Sequence, residues 1–155
     1  MKVSPQIRRC LPEDVPHLLA LVSQYWRFEG IAGFDAVALS PLLTRLTQEP
    51  RLGAVWVADA GGELVGYLIA VNTFSLEQKG PMAEIDEFFV SPAARTFGVG
   101  AALLDVAESD LACDGCVCLQ LQLGRENFRA RAFYRRHGYN EREGYELLDK
   151  RLTEI

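Results

Sequence analysis

The segment Arg95-Thr96-Phe97-Gly98-Val99-Gly100-Ala101 brings two glycines and an arginine close together, a pattern suited to holding an anion. Gly98 and Gly100 lack Cβ atoms, so a ligand can approach the main chain closely and the chain can turn through positive φ. Free N–H groups at the start of a helix, reinforced by its dipole, receive a phosphate or diphosphate. Arg95 offers a bidentate donor to the same guest. Just upstream, Glu84-Ile85-Asp86-Glu87-Phe88-Phe89-Val90 carries three carboxylates on a run that reads as a strand. Regular alternation sets Glu84 and Asp86 on one face with Phe88 and Val90, and Glu87 on the other; a bulge would reverse that assignment. Acids so placed serve as proton acceptors, or as solvated strand-edge residues and ion pairs, and both readings stand.

A Walker loop requires Gly-Lys-Ser/Thr, a triplet this chain does not contain. A dinucleotide fingerprint requires a glycine where Leu103 stands, and the strand around Cys116 to Leu123 leads to no obvious acidic partner. The Arg-x-x-Gly-x-Gly-Ala run instead resembles the pyrophosphate loop of the GNAT (general N-acetyltransferase) superfamily. Downstream, Asn127-Phe128-Arg129-Ala130-Arg131-Ala132-Phe133-Tyr134-Arg135-Arg136-His137-Gly138-Tyr139 matches the same family's Asn-x-x-Ala-x-x-x-Tyr-x-x-x-Gly-[Phe/Tyr] helix, in the right order and after an intervening strand. The resemblance covers roughly residues 7 to 150. Thr96 departs from it by standing where the family usually has glycine, and Ala93-Ala94 replaces a more polar or aromatic pair; both departures bear on the loop's grip.

The resemblance implies an α/β (α+β) fold: a mixed, mostly antiparallel sheet of six to seven strands with about four flanking helices, splayed between the strands ending at Val90 and Leu123. It implies acetyl-CoA as acyl donor, with no metal. Main-chain groups of Phe88, Phe89 and Val90 would bond the pantetheine arm. Arg95, Thr96, Phe97, Gly98, Val99, Gly100 and Ala101 would hold the diphosphate. Asn127 would contact the pantetheine amide or simply cap its helix. Tyr134 matches the family tyrosine that protonates the departing thiolate; a core tyrosine is the alternative. The implied acceptor is an amine. A free primary amine has a pKa near ~10.4, so roughly one molecule in a few thousand is neutral at pH 7 and able to attack. The site should therefore supply a base, directly or through water. Asp86 ranks first, Glu84 close behind and Glu87 third. The substrate wall would come from Trp26, Phe28, Phe34 and Phe74 with Glu87, although Trp26 and Phe34 fit a core equally well. The acids together with Phe74-Ser75 are loosely similar to the diamine and polyamine acetyltransferase branch. Direct attack in a ternary complex is the implied reaction. A non-catalytic acyl-CoA-binding module and a protein or peptide N-acetyltransferase are the alternatives.

The elements that must position these residues follow from periodicity. At 155 residues the chain reads as a single acetyltransferase domain, 1–155. Ile7-Arg8-Arg9 is an edge strand. Val15, Leu18, Leu19, Val22 and Trp26 keep helical spacing, with Asp14 as N-cap. Ser40-Pro41 opens a second helix through Leu42, Leu43 and Leu46. Ala54 to Ala58 and Leu64 to Val71 form a hairpin around Asp59-Ala60-Gly61-Gly62-Glu63, and a polar connection from Ser75 to Pro81 leads to the acidic strand. Gly100, Leu103, Leu104, Ala107 and Leu111 line one face of the helix after the glycine loop. Val117 to Leu123 alternates as a strand. Phe128 to His137 forms a helix burying Ala130, Phe133 and Tyr134, and Tyr139 to Arg151 supplies one or two closing strands. The net charge of −5 argues against nucleic-acid binding. No segment has the length of a membrane span, and the N-terminus shows no apolar leader, so a cytoplasmic setting is expected. Cys113, Cys116 and Cys118, like Cys10, read as buried small hydrophobes rather than a metal set. The partner is a small-molecule amine, and a homodimer is left open.

Overall fold

A computed structural model describes residues 4–154. Gln6–Arg9 (β1) is an edge strand paired antiparallel with Gly53–Asp59 (β2), whose residues are buried up to Ala58. Between them come a 3₁₀ turn, Pro12–Asp14, and two helices, Val15–Glu29 (α1) and Ala36–Gln48 (α2). Leu64–Ser75 (β3) and Gly80–Val90 (β4) continue the antiparallel meander. A second 3₁₀ turn, Pro92–Phe97, and helix Val99–Cys113 (α3) then cross over to Cys118–Leu121 (β5), which lies parallel to β4. Phe128–Arg136 (α4) follows. The strand order is β1-β2-β3-β4-β5. The described residues fall into two compact units divided after Gln122, the larger holding the sheet and the smaller holding α4.

The two faces of the sheet are covered by different helices. Val15, Leu18, Leu21 and Val22 of α1 share one core with Val55, Val57, Tyr67, Ile69 and Phe89. Trp56 lies between two of those strand residues and so faces the other way; its indole donates to Asp110 of α3 at 2.7 Å. The apolar side of α3, Val99, Leu103, Leu104, Ala107 and Leu111, is buried. The β4–β5 ladder stops at Ile85 and Leu121, while β4 runs on to Val90. β4 therefore continues to Val90 without a β5 partner.

Several expectations need correction. Among the described residues the sheet has five strands, not six or seven, because residues 139–154 contain no strand. Glu141, Arg142 and Glu143 interrupt any apolar alternation there, and Glu141 is drawn into ion pairs with Arg131 and Arg135. Helix α2 begins at Ala36, not at Ser40-Pro41. The Asp35 carboxylate accepts from Val37 N at 2.9 Å and Ala38 N at 3.3 Å, which satisfies the first turn and leaves Pro41 inside the helix. Asp14 flanks α1 without capping it, because its carboxylate is bound by Arg8 and by the Leu11 N–H. The polar connection shrinks to a turn, since β3 and β4 pair out to Ser75 and Gly80. In α4, Ala130, Phe133 and Tyr134 are half-buried rather than buried, and of the four cysteines only Cys10 is buried. No described helix is long and apolar enough to cross a membrane.

Candidate active site

The acidic strand carries a β-bulge. Ile69 faces Glu87 across the β3–β4 pair, but the next residue, Ala70, faces Ile85, so Asp86 is extra. Ile69 and Val71 share a face of β3, and their partners are Glu87 and Glu84. Glu84 and Glu87 therefore look the same way, toward α1 and α2, contrary to regular alternation. Phe88, opposite Leu68, takes the α3 side.

Glu87 is the fixed point of this face. Trp26 of α1 donates its indole N–H to Oε1 at 2.7 Å, and the Tyr67 hydroxyl donates to Oε2 at 2.8 Å. Tyr67 is fully buried; burial and the Glu87 charge both hold its proton on. Burial raises the Glu87 carboxyl above the usual range, the two donors work against that rise, and the neighbouring Asp86 charge adds to it. Asp86 is more exposed, and its carboxyl is raised first by desolvation and then by Glu84. Both acids line a pocket of about 200 Å³, whose other walls are Val22 and Trp26 of α1, Leu39, Leu42, Leu43 and Leu46 of α2, and Ile69 of β3.

The remaining expected residues divide between this pocket and other places. Phe34 packs edge-on against Trp26, with ring centroids 5.9 Å apart, and supports the wall from behind. Phe28 lies instead under Arg95, whose guanidinium sits 4.8 Å above its ring and 5.4 Å from that of Phe89. Arg95 Nε also donates to the Val90 carbonyl at 3.0 Å, so its side chain braces the turn after β4. Phe74 is exposed near the far end of β3, opposite Pro81, away from the pocket. Glu84 accepts from Gln120 at 2.8 Å and Gln122 at 3.0 Å, one to each oxygen. Thr96, Phe97 and Gly98 are exposed, Gly100 and Ala101 half-buried, and Val99 buried. Gly98 has φ 71° and starts α3, with its carbonyl accepting from Ala102 at 3.0 Å. The N–H groups of Val99, Gly100 and Ala101 precede that first helical bond and have no partner within the helix. Sequence reasoning missed the α2 wall and Tyr67. The wall had a signal, leucines at 39, 42, 43 and 46 in helical spacing, whereas nothing local distinguishes Tyr67 from an ordinary strand residue.

A family model described as the acetyltransferase (GNAT) family matches residues 18–139. The chain belongs to this GNAT family. An uncharacterized N-acetyltransferase of Bacillus subtilis, YhfO, is 32% identical over 139 residues, which are 90% of this chain and 92% of that one. The integron cassette protein HFX_CASS3, from the mobile metagenome of Cole Harbour Salt Marsh, superposes with a TM-score of 0.83 at 31% identity, covering 97% of this chain and 92% of the other. An aminoglycoside N-acetyltransferase, AAC(6')-Iy, in complex with the bisubstrate analogue CoA-S-monomethyl-acetylneamine, superposes with a TM-score of 0.81 at 21% identity, over 95% of this chain and 98% of that one. That last likeness is one of fold. As a GNAT protein the chain is an acyl-CoA-dependent acetyltransferase.

The GNAT motif helix α4 lies in the smaller unit. Asn127 caps it, accepting from Ala130 N at 3.1 Å. Gly138, at φ 87°, closes it with N–H bonds from Gly138 to Arg135 O and from Tyr139 to Tyr134 O. The Tyr134 ring is held edge-on between Phe133 and Tyr139, with centroids at 5.4 and 5.3 Å. Among the described residues, no three His, Cys, Asp or Glu side chains are grouped to hold a metal ion.

Proposed function

We propose that this enzyme moves an acetyl group from acetyl-CoA to the amine of a small molecule, by direct attack in a ternary complex. The observation that carries the reading is the pair Asp86 and Glu87, set by the bulge at the end of an otherwise apolar pocket. Acetyl-CoA supplies an activated acyl thioester. The loop suits its diphosphate. Thr96, Phe97 and Gly98 are exposed, a Cβ built on Gly98 meets nothing within 4 Å, and the N–H groups of Gly98 to Ala101 cluster at the start of α3. With Arg95 committed to Val90 and the aromatic rings, main-chain amides do the anion binding. Phe88 to Val90, beyond the end of the β4–β5 ladder, would run alongside the pantetheine arm.

Asp86 takes a proton from the bound ammonium, a task favoured by its raised affinity for protons. Glu87, immobilised by Trp26 and Tyr67, holds the nitrogen in line. The freed lone pair attacks the thioester carbon, the C–N bond forms, the nitrogen sheds its surplus proton to water and the C–S bond breaks. The sulfur takes its proton from the Tyr134 hydroxyl, as the family motif implies, and water returns one to that tyrosine. Glu84, occupied by two glutamine amides, orders β4 against β5 and adds negative charge beside Asp86. The test is release of free thiol from acetyl-CoA across a panel of amines. Asp86→Ala should lower kcat by about a hundredfold at neutral pH, the lower end for a lost general base. Tyr134→Phe should lower it by roughly tenfold, because a thiolate leaves tolerably unaided. Unchanged turnover in Asp86→Ala, with chemistry rate-limiting, overturns the assignment of the base.

A further inference from the structure

We infer that the acceptor is a primary amine on a compact apolar body, an alkyl or aryl group, and not a polyamine or a polyol. This rests on the acetyl-transfer reading above and names the substrate class of the same site.

The pocket is chemically two-ended. Its β4 end presents Asp86 and Glu87, and its α2 wall presents leucine four times, at 39, 42, 43 and 46. Each Glu87 oxygen already accepts one hydrogen bond and keeps a second lone pair, which is capacity for one ammonium beside Asp86. The next acid on that face, Glu84, does not line the pocket and is turned to Gln120 of β5 and Gln122 just beyond it. A second ammonium further along the acceptor would lie against leucine with no counterion, and each hydroxyl of a polyol would give up its water for no partner. A methylene chain or aromatic ring loses nothing there and gains the transfer free energy of the surface it buries. The size agrees: about 200 Å³ falls below the ~300–1,000 Å³ of pockets that enclose drug-sized ligands.

Acetyl transfer to n-alkylamines from ethyl to heptyl, followed as thiol release at saturating acetyl-CoA, tests the inference. 1,6-Diaminohexane, 2-phenylethylamine and an aminoglycoside complete the panel. The expected kcat/KM climbs about fourfold per methylene until the pocket is full. n-Hexylamine should exceed 1,6-diaminohexane by at least roughly a hundredfold, since the second charge has no partner. 2-Phenylethylamine should rank with the longer alkylamines, the aminoglycoside far below. Leu42 is 59% exposed although it lines the pocket, so Leu42→Gln leaves the fold in place and should flatten the chain-length slope. A flat slope in the wild type, or preference for the diamine or the aminoglycoside, overturns this inference while leaving acetyl transfer standing. CoA binding without thiol release from any amine overturns the acetyl-transfer reading, and this one with it.

Discussion

Glu87 keeps a charge where burial disfavours one. Trp26 from α1, Tyr67 from β3 and its strand neighbour Asp86 act on it. Burial raises the carboxyl's proton affinity above its unfolded value, and the two donors offset only part of that rise. A group with a raised folded pKa supports folding below its unfolded pKa, and that support is lost as pH rises through the folded value. At neutral pH the ionised Glu87 thus weighs against stability. Glu87→Gln keeps an oxygen for Trp26 and a donor for the Tyr67 hydroxyl but removes the charge. Its melting temperature should exceed the wild type's by about 2–4 °C at pH 7.5, the shift expected from ~1 kcal/mol at this chain length. The gap should close toward pH 4. Thermal melts across that range decide it; a gap that stays constant, or favours the wild type at neutral pH, contradicts the account. Trp26→Phe works oppositely on function. It removes a donor that favours the ionised form, so the acidic limb of the pH profile of kcat/KM should move to higher pH.

At the level of elements, one arginine joins three segments. Arg8 on β1 binds both oxygens of Asp14, at 2.7 and 2.9 Å, and Asp59 at the end of β2, at 3.0 Å. The Arg8 guanidinium is the main cause holding the Asp14 carboxyl below its usual range. For Asp59 the Gly62 N–H is the main cause and Arg8 the second. Lowered carboxyls stabilise the fold at neutral pH, and that contribution disappears as pH falls through their folded values. Arg8→Gln should cost about 2 kcal/mol in urea unfolding at pH 7, since it strips charged partners from two largely covered carboxylates. The difference should shrink in acid below the ordinary carboxylate range. This bridge spans residues 8, 14 and 59, and no window of sequence reveals it; Asp14 read instead as a helix cap. The same limit governs the rest. A continuous apolar run revealed β2, and helical spacing revealed the α3 face, because those patterns are local. The bulge at Asp86 is a property of two strands, and it placed Glu87 and Glu84 together where period-2 counting separated them. Asp35 outcompeted Ser40-Pro41 as the start of α2 because two backbone N–H groups could reach its carboxylate, a matter of geometry more than residue preference. The glycine loop was legible as a motif, yet the reach of Arg95 was not, since its partners Val90, Phe28 and Phe89 are set by the turn.

For the molecule as a whole, the β4 edge proposed to bind the pantetheine arm is also a loss of stability. A β4 edge that continues past its ladder gives up strand pairing that a closed sheet would keep, and a ligand that runs along it restores some of that order. Binding to the folded state alone stabilises by mass action, by ~2.7 kcal/mol at a hundredfold excess over Kd. CoA should therefore raise the melting temperature by roughly 5–10 °C at that excess, given about 2–4 °C per kcal/mol for a chain of this size. Gly98→Ala separates the loop's contribution from general stability. At φ 71° a side chain is strained, yet the added Cβ meets no atom within 4 Å, so the loss is confined to the backbone, about 1–2 kcal/mol. The unliganded variant should melt a few degrees lower. If the amides from Gly98 to Ala101 hold the diphosphate, relaxing φ out of the left-handed region turns them away, and the CoA-dependent increment should also shrink by more than half. Dephospho-CoA, which retains the diphosphate, should show the same loss, whereas pantetheine, which lacks it, should bind the variant and the wild type alike. A CoA increment undiminished in Gly98→Ala would move the diphosphate off this loop.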